Sequence, residues 1–362
     1  MRDDTRPIDI PADPAAALTN LPGLLGHHIS EHLVLLQRGP GARPGPILMR
    51  TLAGVDDLVD LFHRTGALLD PYDGPLDILV ISRSWPRGLP EEEAVRAALG
   101  PEVVVGGYAG VAAIAAGEPV TLRDGTPAGV VQDPALSWTA LALSQAGEAI
   151  SPDLAALDAR FTPEDDPGRT GPAAEALDLA RRDIARLAAR YRSIGEEGAA
   201  RQLLTWYDDW DRLLRDLRDR GAGIDEVLGR VGDLRVLARA LINLTVRDLT
   251  IDVIACADAP LARVLWLECA RLFTGTARAN ALACYALDRW FHGCPGIAER
   301  ALDAARAADP EHTLTALLDR AISVGRGGEA ATSMIRAAER LHVALGVAGY
   351  GVRPGDAGEG AA

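Results

Sequence analysis

The sequence predicts an α/β region with a mixed sheet, followed by an all-α helical region. Three observations predict it. Apolar runs of strand length alternate with helical patterns through the first half of the chain. A polar stretch rich in Pro and Gly, Thr162–Pro172, then interrupts the pattern. Beyond it the apolar spacing becomes three and four and stays so. The domain reading is a mobile tail over 1–16, an α/β domain over 17–161, a linker over 162–172, a helical domain over 173–345 and a disordered tail over 346–362.

Each element has a local reason. Ala17–Leu25 reads as a short helix that leads through Gly26 into Leu33–Leu36, an apolar run of strand length. Gly39–Gly45 is a Pro/Gly turn, and Ile47–Met49 follows as a partner strand. A helix should begin near Val55, with Leu58, Leu61, Phe62 and Leu68 on one face. Pro71–Pro75 breaks the chain before Leu76–Ser82, the strongest strand pattern. Pro90 and Glu91–Glu93 open another helix, with acids at its positive end. Glu102–Val105 reads as a strand; Gly106–Gly117 fits strand or helix, and within it the run Gly106–Gly110 reads better as a tight turn than as a phosphate loop, since G-x-G-x-x-G is not met. Asp124-Gly125 between β-type runs is a hairpin turn, which makes the sheet mixed. Asp133-Pro134 and Ser151–Asp153 start further helices.

In the second half, helices are expected over 175–191, 199–220, 234–254, 261–273, 277–290, 296–308, 312–324 and 330–345. Leu282, Tyr285, Gly293, Ala298, Leu302, Ala305 and Pro310 match the small and apolar positions of one tetratricopeptide-like hairpin. Arg289 stands where that pattern prefers an aromatic.

Composition excludes several functions. The chain has 362 residues, 48% hydrophobic and 24% charged, so it can bury a sizeable core. All 37 basic residues are arginine. Without lysine there is no Schiff-base anchor, no Walker-type phosphate loop and no kinase-type strand lysine. The net charge of −14 argues against nucleic acid and against an anionic membrane surface. The start Met-Arg-Asp-Asp-Thr-Arg-Pro lacks a signal peptide pattern, and the longest uncharged run, Val103–Gly117, is too short to span a bilayer. The expected location is the cytoplasm, where the four cysteines remain thiols. No cofactor is implied.

Some local patterns suggest chemistry. His27-His28-Ile29-Ser30-Glu31-His32 contains H-x-x-E-H, a zinc spacing that works only when both histidines share a helical face. Here glycines precede the motif and a strand follows, so a loop entering a strand is the alternative. Ser82 and Ser84 end the strongest strand, but G-x-S-x-G is absent. His27, His28, His32 and Ser82 are the candidate ligand or metal residues. No C-x-x-C pairs link the four cysteines, which read as small core residues. Trp206, Tyr207 and Trp210 head a helical apolar stripe, read either as core or as the anchor of a partner-binding groove.

Three segments together resemble a known family. They are Leu21–Gly26 leading into Leu33–Leu36; the small-residue helix after Pro134 with Gly147 and Ser151–Leu154; and Val246–Asp248 followed by Trp266, Trp290, Gly293, Ala298–Pro310 and His312–Leu314. In order and spacing the chain resembles the actinobacterial domain-of-unknown-function family DUF4192, from about Leu18 to Gly325. Many relatives carry aromatics and paired cysteines where this chain has Gly106–Thr126, which holds no cysteine. The resemblance implies a cytoplasmic protein of high-GC bacteria and assigns no reaction. The leading expectation is a non-catalytic protein-interaction or regulatory protein that binds a protein partner or itself. The alternatives are a hydrolase of unfamiliar type on the α/β half, and a small-ligand sensor with a pocket at Gly106–Gly110.

Overall fold

The computed structural model describes residues 13–38, 44–52, 74–87, 89–220, 223–323 and 326–346. The helix expected from Val55 to Leu68, most of the Gly39–Gly45 turn and most of both expected tails lie outside these residues. The described residues fall into two compact units, one reaching to Leu157 and including Gly293–Gly296, the other formed by Asp158–His292 and the chain from Ile297.

The first unit is built on a six-stranded mixed sheet in the order β2-β1-β3-β4-β5-β6. Its strands are β1 (His32–Arg38), β2 (Pro44–Thr51), β3 (Leu76–Ile81), β4 (Val105–Val111), β5 (Pro119–Leu122) and β6 (Pro127–Val130). Only β3 and β4 pair in parallel, joined by the crossover helix α2 (Glu92–Leu99). Helix α1 (Pro14–Leu25) is capped by the Asp13 carboxylate and ends on left-handed Gly26. Alternation along the strands separates two cores. Val34, Leu36, Leu79 and Ile81 face α1 residues such as Leu18 and Leu21. Leu33, Leu35, Ile78 and Val80 face Val95 and Leu99 of α2. Covering both faces is why β1 and β3 read as continuous apolar runs.

The expected strand Glu102–Val105 and the tight turn at Gly106–Gly110 are corrected, and of strand or helix over Gly106–Gly117 it is a strand that forms at its start. Glu102 lies in a turn, and the glycine run is the body of β4, paired with β3. The glycines are there for close approach. A Cβ on Gly110 would lie 2.5 Å from the Trp85 ring, and one on Gly106 would lie 2.9 Å from Asp77 Oδ1. The Asp124-Gly125 hairpin forms as expected, with Gly125 at φ 87°. Asp133-Pro134 opens only a 3₁₀ turn (Pro134–Leu136); Ser137 then caps α3 (Trp138–Gln145), and α4 (Leu154–Ala159) follows.

The second unit is helical. The expected linker shortens, because Pro167 begins α5 (Pro167–Arg220) and Asp166 accepts from the Gly168 N–H at 2.8 Å. Helix α5 breaks at Gly195 (φ 68°, ψ −178°), so the two helices read from the sequence sit either side of that residue. After α6 (Ile224–Leu228) the single helix expected over 234–254 becomes α7 (Val231–Ile242), α8 (Leu244–Thr250) and a 3₁₀ turn (Ile251–Ala255), because Asn243 leaves the helix and caps α8 through the Val246 N–H. Then come α9 (Ala259–Leu272), α10 (Gly275–Phe291), α11 (Pro295–Ala308), α12 (Thr313–Ser323) and α13 (Gly327–Leu345). Helix α10 is buried almost all round and forms the centre of this unit. Leu282 and Tyr285 lie on α10 and Ala298, Leu302 and Ala305 on α11, either side of Gly293 (φ 75°), while Pro310 lies beyond the end of α11. Among the described residues no helix is long and apolar enough to cross a membrane.

Candidate functional site

The histidine cluster does not form one site. His27 is buried, bridges to Ser151, and its Nδ1 lies 2.9 Å from the His28 carbonyl oxygen. The His28 side chain is exposed. His32 is the first residue of β1, with its Nδ1 2.6 Å from the Ser30 carbonyl oxygen. The motif is a loop entering a strand, so the helical face that a zinc pair requires is absent. Among the described residues no group of three or more His, Cys, Asp or Glu is arranged to hold a metal.

Ser82 is buried at the end of β3, and its hydroxyl donates to Glu31 Oε2 at 2.7 Å. The Ser84 hydroxyl lies 2.9 Å from it, and the Arg83 N–H donates to Glu31 Oε1 at 3.1 Å. Glu31 holds a left-handed φ of 55°, uncommon outside glycine. The hydrogen bond from Ser82, then that from the Arg83 backbone, hold its carboxyl below the usual range. A carboxylate stabilised in this way is a weak base for a serine hydroxyl. The partner of Ser82 is therefore Glu31 rather than a histidine, and the contact ties the β3 end to the turn before β1.

The aromatic stripe is core rather than an exposed anchor. Trp206, Tyr207 and Trp210 are 4%, 3% and 1% exposed. Trp210 stacks on Trp266 with centroids 6.3 Å apart, and the Tyr207 ring lies 4.9 Å from that of His342. Spacing of three and four turned the stripe into the unit, where other helices meet it. Three of the cysteines are buried too, and none of the four is in a disulfide. Burial pushes the Cys284 thiol up to about 12, as a core thiol should be.

Trp206 also borders an arginine-lined cleft of about 470 Å³. Three helical stretches build it. Before the Gly195 break, α5 contributes Asp183, Arg186, Leu187, Arg190 and Ile194, which recur at helical spacing. After the break it contributes Gly198, Arg201, Gln202 and Trp206. Helix α7 adds Arg235 and Arg239, one turn apart. Gly195 redirects the backbone between the two α5 stretches, and Gly198 has room for no Cβ, which would fall 2.7 Å from Ile194 Cβ.

One acid organises these cations. Arg235 grips Asp183 with both arms, Nε to Oδ2 at 2.7 Å and a terminal nitrogen to Oδ1 at 2.5 Å. Arg186 and Arg239 approach the same carboxylate at 3.6 and 3.8 Å. Arg239 bonds Asp209 at 2.9 Å and lies over the Trp206 ring, 5.5 Å from its centroid. Arg201 pairs with Glu197 at 2.5 Å. Arg190 has no ion-pair partner among the described residues and is exposed at the cleft. An acidic chain has here gathered five guanidinium groups around one cavity.

The family model for a domain of unknown function, DUF4192, matches residues 14–327. The chain belongs to this family. The match covers the sheet unit from α1 on, the helical unit as far as the start of α13, and the whole cleft. No curated protein and no solved structure matches the chain.

Sequence reasoning left Trp206 as either core or the anchor of a groove, and missed the cleft beside it. The signal was present as Asp183, Arg186 and Arg190, and as Arg235 and Arg239, each at helical spacing. Arginine is abundant everywhere in this chain, so the clustering emerges only when α5 and α7 come together.

Proposed function

We propose that this DUF4192 protein is a non-catalytic regulatory or interaction protein whose helical unit receives an anionic group of its partner in the arginine cleft. The observation that carries the reading is the set of five arginines lining one concavity with a single lining acid. Its volume lies in the range of ligand-binding clefts, and guanidinium forks suit oxyanions. The apolar wall from Leu187, Ile194 and Trp206 gives the rest of a partner molecule something to pack against. The net charge of −14 still disfavours a long polyanion such as nucleic acid, while a confined cleft admits one anionic group. In this reading the protein works in the cytoplasm, where its four free cysteines stay reduced, and the tetratricopeptide-like pattern on α10 and α11 contributes to a partner-binding framework.

Thermal unfolding at fixed ionic strength tests this reading, with citrate, succinate and phosphate compared against chloride. At least one polyvalent anion should raise the midpoint of the natural chain, and the Arg186→Glu/Arg190→Glu variant should lose that response. Both side chains are exposed, so the variant keeps its fold. Equal responses of the two proteins across the panel would overturn the reading.

A further inference from the structure

We infer that the cleft is built for a phosphate monoester, a tetrahedral dianion, whether free or carried on a partner's side chain; this rests on the anion-binding reading above.

Charge gives the first argument. Arg186, Arg190, Arg201, Arg235 and Arg239 line the cleft. The acids that pair with them are Asp183, Glu197 and Asp209. Because Arg212 shares Asp209 at 3.2 Å, the five cations against these three acids keep an excess of at least two positive charges, and a phosphate monoester carries close to two negative charges at neutral pH.

Shape gives the second. The seat for a planar carboxylate is already filled by the protein's own Asp183, held bidentately by Arg235 at 2.5 and 2.7 Å. What remains is Arg190, unengaged, and Arg186, held only at 3.6 Å, one turn apart on the same stretch of α5, while Arg201 across the Gly195 break is paired with Glu197. Two neighbouring forks offer more N–H donors than the two oxygens of one carboxylate can take up, and a phosphoryl group brings a third oxygen and a second negative charge. The chain has no lysine, so every cationic donor is a fork. The organic part of the ester would lie against Leu187, Ile194 and Trp206.

Calorimetric titration of the full chain decides the matter with four small probes: phenyl phosphate, its methyl diester, phenylacetate and succinate. Phenyl phosphate should bind at least about tenfold tighter than each of the other three, a difference of about 1.4 kcal/mol or more. Arg190→Glu should abolish this binding, Arg190→Gln should weaken it and Arg190→Lys should retain part of it. A second arm compares a phosphoserine peptide with its unphosphorylated twin. Tighter binding of the phosphopeptide than of phenyl phosphate makes the source a modified protein; the reverse order makes it a free ester. Succinate binding as tightly as phenyl phosphate, and lost in Arg190→Glu, would overturn the phosphate inference and leave the anion-binding reading standing. If no probe binds, or binding is unchanged in all three variants, both fall.

Discussion

Asp288 shows how single residues set the stability of the helical unit. Its carboxylate is fully buried and accepts from Arg263 Nε at 2.7 Å and from the Arg289 guanidinium, while His292 Nδ1 lies 3.2 Å away. Burial alone would raise its pKa. The His292 hydrogen bond and the charges of Arg289 and Arg263 outweigh burial and bring it to about 2. The ordinary aspartate value is about 3.9, so the folded state holds the proton less tightly than the unfolded chain. The stabilisation is complete above about pH 4 and is lost as pH falls toward 2. It amounts to roughly 2–3 kcal/mol on the scale of 1.36 kcal/mol per pKa unit. Asp288→Asn should flatten urea-unfolding stability across that acid window. Asp288→Ala leaves the buried Arg289 guanidinium without its carboxylate and should cost about 3–5 kcal/mol in the same measurement. The sequence carried little sign of this cluster, because Arg289 looked like a misfit in a repeat pattern when it is a buried ion-pair partner.

At the scale of elements, glycine separates what the sequence made legible from what it hid. The Asp124-Gly125 hairpin and the α1 stop at Gly26 follow from local turn chemistry and were readable. The glycines of β4 have a tertiary cause, the Trp85 ring over Gly110, and local rules misread them as a turn. Gly110→Ala should therefore force the indole away and cost about 1–3 kcal/mol by overpacking; denaturant melts read the loss, and Trp fluorescence reads the displacement. Gly195 plays a different part, since its φ of 68° with extended ψ suits glycine and breaks α5 across the cleft. Gly195→Ala should destabilise the helical unit by about 1–3 kcal/mol and weaken anion binding with every cleft side chain still present. A variant with lower stability and undiminished anion affinity would detach the break from the site. The helix boundaries at Asn243 and Pro167 were hidden for a similar reason. A cap in the middle of an apolar stripe, and prolines at a helix start, look like continuation and interruption until the backbone is seen.

For the molecule as a whole, the division into a mixed sheet and a helical region was legible because periodicity is a property of consecutive residues. Family membership was legible for the same reason, carried by ordered segments along the chain. The arginine cleft was not, because its lining comes from two stretches of α5 and from α7. Net charge misleads at this scale too. A total of −14 describes the far field, whereas recognition in a cleft depends on the groups within a few ångströms of it. In the function proposed above, this cationic cleft seats an anion. Crystals soaked in tungstate, a heavy tetrahedral dianion, test it most directly through anomalous scattering. The dominant peak is expected inside the cleft, within hydrogen-bonding reach of Arg186 and Arg190. A cleft without a peak, with tungstate bound elsewhere or nowhere, would contradict it.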